Sequence, residues 1–242
     1  MRGFQGSMSN FRGAVVVMAV ALLAAAPRAN AATYTDSVGE NFTGAGGGIL
    51  DITSVEVNND ANDIIFKINL AGDPVATDWG KYMVGIDSVA GGDTSVNGNG
   101  WVRPINMPAG MDYWLGSWVD SGNGAEAYKY TGSWGLLNAT YATAGALSIS
   151  KDSSSVTLTY DLASLGLSIG STFNFDVYTS GGGSSDSAVD ALANPSQSIS
   201  DWPGPYSSTL VDSYTVVPEP STLTLVALGG LMLVGRLFRR RA

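Results

Sequence analysis

With no His and no Cys, the side chains best placed to do chemistry are carboxylates and large aromatics, and no motif marks Lys67 or Lys151 as a base or a Tyr/Arg pair as a lyase site. The missing Cys rules out thiol nucleophiles, disulfides, thiolate zinc sites and iron–sulfur clusters. The missing His removes the usual general base and metal ligand, so Ser-His-Asp and Cys-His catalysis are both excluded. Carboxylates can still hold a hard cation such as calcium, or hydrolyse a glycoside as an acid and a nucleophile working in pair. Asp36, Glu40 and Asp51 surround the Gly-rich run at 44–48, a loop able to turn carbonyls inward, and are the candidate calcium ligands. Asp186 and Asp190 form a second acidic pair one helical turn apart, ahead of Asn194-Pro195. Neither group has EF-hand spacing. The competing reading is that acids at turns cap backbone amides and solvate the surface.

Six Trp, 10 Tyr and seven Phe supply the aromatic chemistry. A sugar platform needs flat rings exposed together, with CH groups of a pyranose stacked on them and nearby polar groups bonding the hydroxyls. Trp79, Trp101 and Trp202 fall in expected loops, which carry binding in sandwich folds, and are the candidate glycan-binding residues. Along 112–119, Trp114 and Trp118 share one strand face and Tyr113 takes the other. A single large ring in a sandwich more often fills the core. Before the tail the only Glu residues are Glu40, Glu56 and Glu126, none in a recognisable glycosidase motif, and no catalytic residue is assigned. The tripeptides starting at Asn41 and Asn138 match the N-glycosylation pattern and are read as coincidence.

Charge falls in three blocks. Residues 1–31 hold three Arg and no acid, and residues 236–242 hold four Arg. Residues 32–217 contain 20 acids against five bases, a net of −15. Nucleic-acid binding depends on neutralising phosphates and is excluded by that balance, whereas divalent cations suit it.

The two ends address the chain to a membrane. After Arg2 and Arg12, an apolar run of 13 residues from Ala14 to Ala26 is too short to span a bilayer. Ala29-Asn30-Ala31 completes a signal peptide at 1–31, with a mature start at Ala32. At the other end Val217-Pro218-Glu219-Pro220-Ser221-Thr222 precedes a short apolar run and Arg236-Leu237-Phe238-Arg239-Arg240-Arg241. The prolines stop the preceding strand, and the apolar run predicts a transmembrane helix at about 222–238 with its arginines cytoplasmic. This order closely resembles the PEP-CTERM sorting signal of Gram-negative bacteria. The resemblance covers about 217–242 and implies that Pro218, Glu219 and Pro220 are read by an exosortase, a transpeptidase-like membrane enzyme. It further implies a transient inner-membrane anchor, removal of the hydrophobic tail, and delivery to the cell surface or an exopolysaccharide matrix. The alternative is a permanent single-pass anchor.

These sites need a frame. Between the ends the hydrophobic period is two, with Gly-rich punctuation. Residues 52–57 and 63–70 read as a hairpin about Asn58-Asn59-Asp60, and further strands are expected at 81–87, 112–119, 126–130, 147–150, 155–160, 172–178 and 209–216. Residues 161–165 and 187–192 are expected to form helical turns capped by Asp161 and Asp186. About nine short strands predict one all-β domain at 32–216, a two-sheet antiparallel, jelly-roll-like sandwich. The stretch 36–66, followed by Trp101, Asp112-Tyr113-Trp114 and Trp134, resembles DOMON-like and family-nine carbohydrate-binding modules. That resemblance implies a β-sandwich that often holds calcium and binds sugars; Glu40 stands where an Asp pair is more usual.

The expectation is an exported, non-catalytic, glycan-binding protein whose partners are an exosortase, the inner membrane and an extracellular polysaccharide. Two alternatives stand beside it: a structural or adhesive matrix protein with no defined sugar ligand, and a glycan-active enzyme.

Overall fold

The structure, a computed structural model, describes residues 31–218 except 43, 109 and 143–145. The expected signal peptide (apart from Ala31), the expected transmembrane helix at 222–238, and Glu219 and Pro220 lie outside the described residues. Among the described residues no helix is long and apolar enough to cross a membrane.

Fourteen strands follow in order: β1 (Ala32–Thr35), β2 (Ile52–Asn59), β3 (Asp63–Leu70), β4 (Lys81–Asp87), β5 (Ile105–Asn106), β6 (Tyr113–Trp118), β7 (Gly124–Tyr130), β8 (Trp134–Ala139), β9 (Leu147–Lys151), β10 (Ser155–Asp161), β11 (Thr172–Ser180), β12 (Ala188–Ala191), β13 (Tyr206–Ser207) and β14 (Asp212–Thr215). A five-stranded antiparallel sheet runs β1-β2-β3-β10-β9. The larger sheet runs β12-β11-β4-β6-β7-β8, with β14 on the first half of β11. The two large sheets make the expected antiparallel sandwich, and Ala31–Val217 form one compact unit.

Alternation puts the core between the sheets. On β3 Ile64, Phe66, Ile68 and Leu70 are buried and the intervening residues are not. They meet Val84, Ile86, Phe173 and Phe175 of the larger sheet in one cluster, in which the Phe66 and Phe175 ring centroids are 5.6 Å apart. The β2–β3 hairpin turns where expected, because Asp60 Oδ1 accepts the amides of Asn62 and Asp63, both at 2.8 Å. Such a side-chain turn suits Asp.

The larger sheet is covered on its other face as well. Met83, Trp114 and Tyr178 pack there under Ile105, Met107, Met111 and Tyr206 from the long connections. This is why β4 is buried on both faces. It is also why Gly85 sits in a central strand: a Cβ there would stand 2.7 Å from Met107 Sδ. The cover stops short of the far halves of β6 and β7, leaving part of that face open.

One local expectation is corrected. Within 187–192, Ala188–Ala191 form strand β12, paired with β11, instead of a helical turn. The pairing is tertiary: the Ile52 amide donates to Asp190 Oδ2 at 2.7 Å, a bond across 138 residues. Asp186 accordingly holds the Gly183 amide in a turn at 2.8 Å rather than capping a helix. The turn at 161–165 does form, as a short 3₁₀ segment (Ala163–Leu165), with Asp161 Oδ1 accepting the Ser164 amide at 2.6 Å.

Candidate functional site

The acids come first. Asp36 follows β1, Asp51 precedes β2, and Glu40 lies between them, so the end of the smaller sheet gathers all three expected calcium ligands in one region. Asp190 of β12 and Asp176 of β11 face the same region from the larger sheet, close enough that their charges act on Asp36. Burial pushes Asp36 up to about 7, further raised by Glu40, Asp176 and Asp51. Burial pushes Asp190 up to about 8, with Asp36 adding to it. Asp176 rises to about 7 and Asp51 rises too, each chiefly through burial.

Backbone amides hold one oxygen of several of these groups. Ser37 N donates to Asp36 Oδ1 at 2.8 Å, and Gly39 N donates to Asp51 Oδ2 at 3.0 Å. The buried oxygens Asp36 Oδ2, Glu40 Oε2 and Asp51 Oδ1 accept no hydrogen bond. Beside them lies a pocket of about 230 Å³ lined by Asp51, Asn41, Phe42 and the glycines of the loop. Among the described residues no group of three or more carboxylates is closed tightly enough to hold a metal ion. The orphaned oxygens nevertheless have the hard-donor chemistry that calcium takes.

The candidate aromatics divide. Trp79 and Trp202 come together, ring centroids 5.7 Å apart, with Phe42 edge-on to Trp202 at 4.9 Å. They pack on Ala45, Ile49, Leu50 and Val189. A Cβ on Gly46 would stand 2.7 Å from Trp79 Cζ2, and one on Gly181 would stand 2.7 Å from Trp202 Cζ3. Trp79 therefore packs directly against Gly46 of the Gly-rich loop, and Trp202 against Gly181.

Trp101 belongs elsewhere. Its loop is built by Asn99, whose side chain is buried and bridges five backbone groups, among them the Asn97 carbonyl, which accepts from Nδ2 at 3.3 Å. Oδ1 accepts the Trp101 and Arg103 amides at 3.2 and 3.0 Å, and Nδ2 donates to the Arg103 and Ile105 carbonyls at 2.9 and 3.2 Å. Between them Val102 adopts φ 55°, a left-handed conformation costly for a β-branched residue. Arg103 anchors the far side, its Nη1 donating to Ser180 Oγ and the Gly183 and Asp186 carbonyls at 2.8, 2.9 and 3.1 Å.

Held in this way, Trp101 lies on the open part of the larger sheet. Cross-strand pairing sets Trp114 against Tyr128, Gly116 against Glu126, and Trp118 against Gly124. Trp101 covers Gly116, where a Cβ would stand 2.5 Å from Trp101 Cζ2, and the Trp118 ring covers Gly124. At the centre is Glu126. Its Oε2 accepts Trp101 Nε1–H at 2.7 Å and the Tyr128 hydroxyl at 2.9 Å, and its Oε1 accepts the Tyr141 hydroxyl. Burial, then the bond to Glu126, pushes the Tyr128 hydroxyl up to about 12, so it stays a donor. Tyr141 is 65% exposed and Leu136 50%, and the Trp118 and Tyr141 rings are tilted by 34° with centroids 6.3 Å apart.

Sequence reasoning found Trp101 but not its partners. The readable signal was the alternation Trp114-Leu115-Gly116-Ser117-Trp118 beside Gly124-Ala125-Glu126-Ala127-Tyr128, two rows in which glycines make room for rings. Asn138, in the second glycosylation tripeptide, points inward and accepts the Tyr160 hydroxyl at 2.5 Å.

The ends of the chain have their own assignment. Residues 216–241 match the PEP-CTERM protein-sorting motif. No curated protein matches the chain.

Proposed function

We propose that this PEP-CTERM protein, exported and sorted through exosortase recognition of its C-terminal motif, uses its sandwich as a non-catalytic module that binds an extracellular polysaccharide at the cell surface or in the matrix. The observation that carries the reading is the open row on β6 and β7, where Trp101, Trp118, Tyr128 and Tyr141 surround one carboxylate. Ring faces offer stacking to pyranose CH groups, and the one remaining lone pair of Glu126, on Oε1, accepts a sugar hydroxyl. Each of the three groups on Glu126 is a donor, not the second carboxylate that glycoside hydrolysis requires, which favours binding over catalysis. Of the expected glycan residues, Trp101 serves this surface. Trp79 and Trp202 serve the acidic end.

Calcium, in this reading, is structural. Asp36, Glu40 and Asp51 would have to draw closer to hold it, and it would then supply the positive charge that their orphaned oxygens lack. It would also pin the Gly-rich loop.

The test is retention of the intact chain, purified in detergent, on gels containing soluble polysaccharides. Wild type should be retarded by at least one polysaccharide, and the double variant Trp118→Ala, Tyr141→Ala should run freely. Retardation that survives in the double variant would remove this surface from the account. If no polysaccharide retards the chain, the structural matrix reading takes its place.

A further inference from the structure

Glu126 carries a charge that nothing answers. Its three partners are an indole N–H and two phenol hydroxyls, which solvate a carboxylate without neutralising it. The ion pairs among the described residues are Lys67–Glu56, Lys81–Asp120 and Lys151–Asp78, so Glu126 has no cationic partner there. The nearest cation in sequence on its own strand, Lys129, is turned to the other face of the sheet, 5.2 Å from the Tyr113 ring. Arg103 donates to Ser180, Gly183 and Asp186 and sets its guanidinium carbon 5.4 Å from the Trp101 ring centroid, so it meets that ring and pairs with no carboxylate here. Aromatic faces around an uncompensated anion favour a cation, because ring quadrupoles and the carboxylate attract the same charge. The body's net of −15 raises the local concentration of any polycation.

We infer that the sugar bound at this surface carries a free amine: the ligand is a polymer of deacetylated 2-amino-2-deoxyhexose, its ammonium group seated on Glu126 among Trp101, Trp118 and Tyr141. This rests on the glycan-binding reading and narrows it. An acidic polysaccharide would meet the same carboxylate as a repulsion, and an N-acetylated one would bring a neutral amide that leaves the charge unanswered. At the β8 edge of this sheet Leu136 and Leu137 are exposed.

The experiment compares two probes of one backbone, the β-1,4-linked glucosamine hexamer and its fully N-acetylated counterpart, titrated calorimetrically into the intact chain in detergent. The glucosamine hexamer should bind about tenfold more tightly, the worth of one charge-assisted contact. The preference should vanish in Glu126→Gln, which keeps the shape and removes the charge. Asp73→Asn, a half-buried acid in the loop after β3, should keep it. Equal or tighter binding of the N-acetylated hexamer overturns the inference while leaving glycan binding intact. A preference that survives in Glu126→Gln overturns it too, since the whole body and not this carboxylate then reads the amine. Failure of both hexamers, with gel retardation by another polysaccharide, overturns the amine alone. Failure of every glycan overturns both readings.

Discussion

Trp101 and Glu126 are joined by a 2.7 Å hydrogen bond from the indole N–H to the carboxylate, between a loop and the middle of β7. The bond links two levels of the structure. Trp101 is aimed by the Asn99 staple and the strained Val102, and Glu126 is aimed by strand alternation. Only when both are set does the open face of the larger sheet present rings around one charge.

The staple should be expensive to remove. Asn99 is 1% exposed and serves five backbone groups, so Asn99→Ala should cost about 2 kcal/mol or more. Thermal melting should register the loss, and polysaccharide retardation should weaken with it. Val102→Gly provides the contrast: it removes the positive-φ penalty, so the melting temperature should not fall.

Gly116 is the floor under Trp101. Gly116→Ala should push the indole off Glu126, since its Cβ would stand 2.5 Å from Trp101 Cζ2. The expected result is a stability loss of about 1–3 kcal/mol from overpacking. Trp fluorescence should shift and glycan binding should drop with it.

The acidic end predicts a pH dependence whose sign is opposite to that of a salt-bridged carboxylate. Burial holds Asp36 and Asp176 up to about 7 and Asp190 up to about 8. Their ordinary value is about 3.9. Between those values the folded chain keeps protons that the unfolded chain has released. Stability from this source is therefore present at low pH and lost as pH rises through 7 to 8. In chelator the melting temperature should be higher at about pH 5.5 than at about pH 8.5. Millimolar calcium should raise it more at the higher pH, because a ligand of the native state alone stabilises it. Asp51→Asn should reduce that increment. A melting temperature independent of pH in chelator would contradict the burial argument.

Asn59 ties the end of the domain to β2. Its Oδ1 accepts the Tyr214 hydroxyl at 2.8 Å and the Val217 amide at 2.9 Å, and its Nδ2 donates to the Val217 carbonyl at 2.8 Å. Asn59→Ala should cost about 1–3 kcal/mol by leaving these groups unpaired. Hydrogen exchange should speed up at Val217 ahead of the rest of the sheet.

The sorting motif predicts a processing defect without a folding defect. Replacing Pro218, Glu219 and Pro220 by Ala in the exporting cell should leave the full-length tail attached and the chain in the membrane fraction. Normal processing of that variant would argue against recognition through these residues.

Much of the frame was legible because local signals agreed with it. Strand 81–87 falls on β4 to the residue, and the Asp60 turn sits where Asn58-Asn59-Asp60 placed it. Residues 187–192 misled because Asp, Ala and Leu read as a helical turn, while the deciding force was the distant Ile52 amide. Strands Ile105–Asn106 and Tyr206–Ser207 are two residues each and pair parallel with one another, so neither has a local pattern to read. The acidic site was half visible: Asp36, Glu40 and Asp51 are close in sequence, but Asp176 and Asp190 arrive on other strands. Glu126 was present as one of three Glu residues before the tail, with nothing local to mark it, since two of its three partners come from loops on either side of it.

The central claim, a glycan on the open face of β6 and β7, is tested most directly by oxidative footprinting of the intact chain with and without a retarding polysaccharide. Trp118 and Tyr141 should be protected by the bound glycan, while Trp79 and Trp202 should oxidise at the same rate in both states. Protection of Trp79 and Trp202 with Trp118 and Tyr141 unchanged would place the sugar at the acidic end and contradict the account.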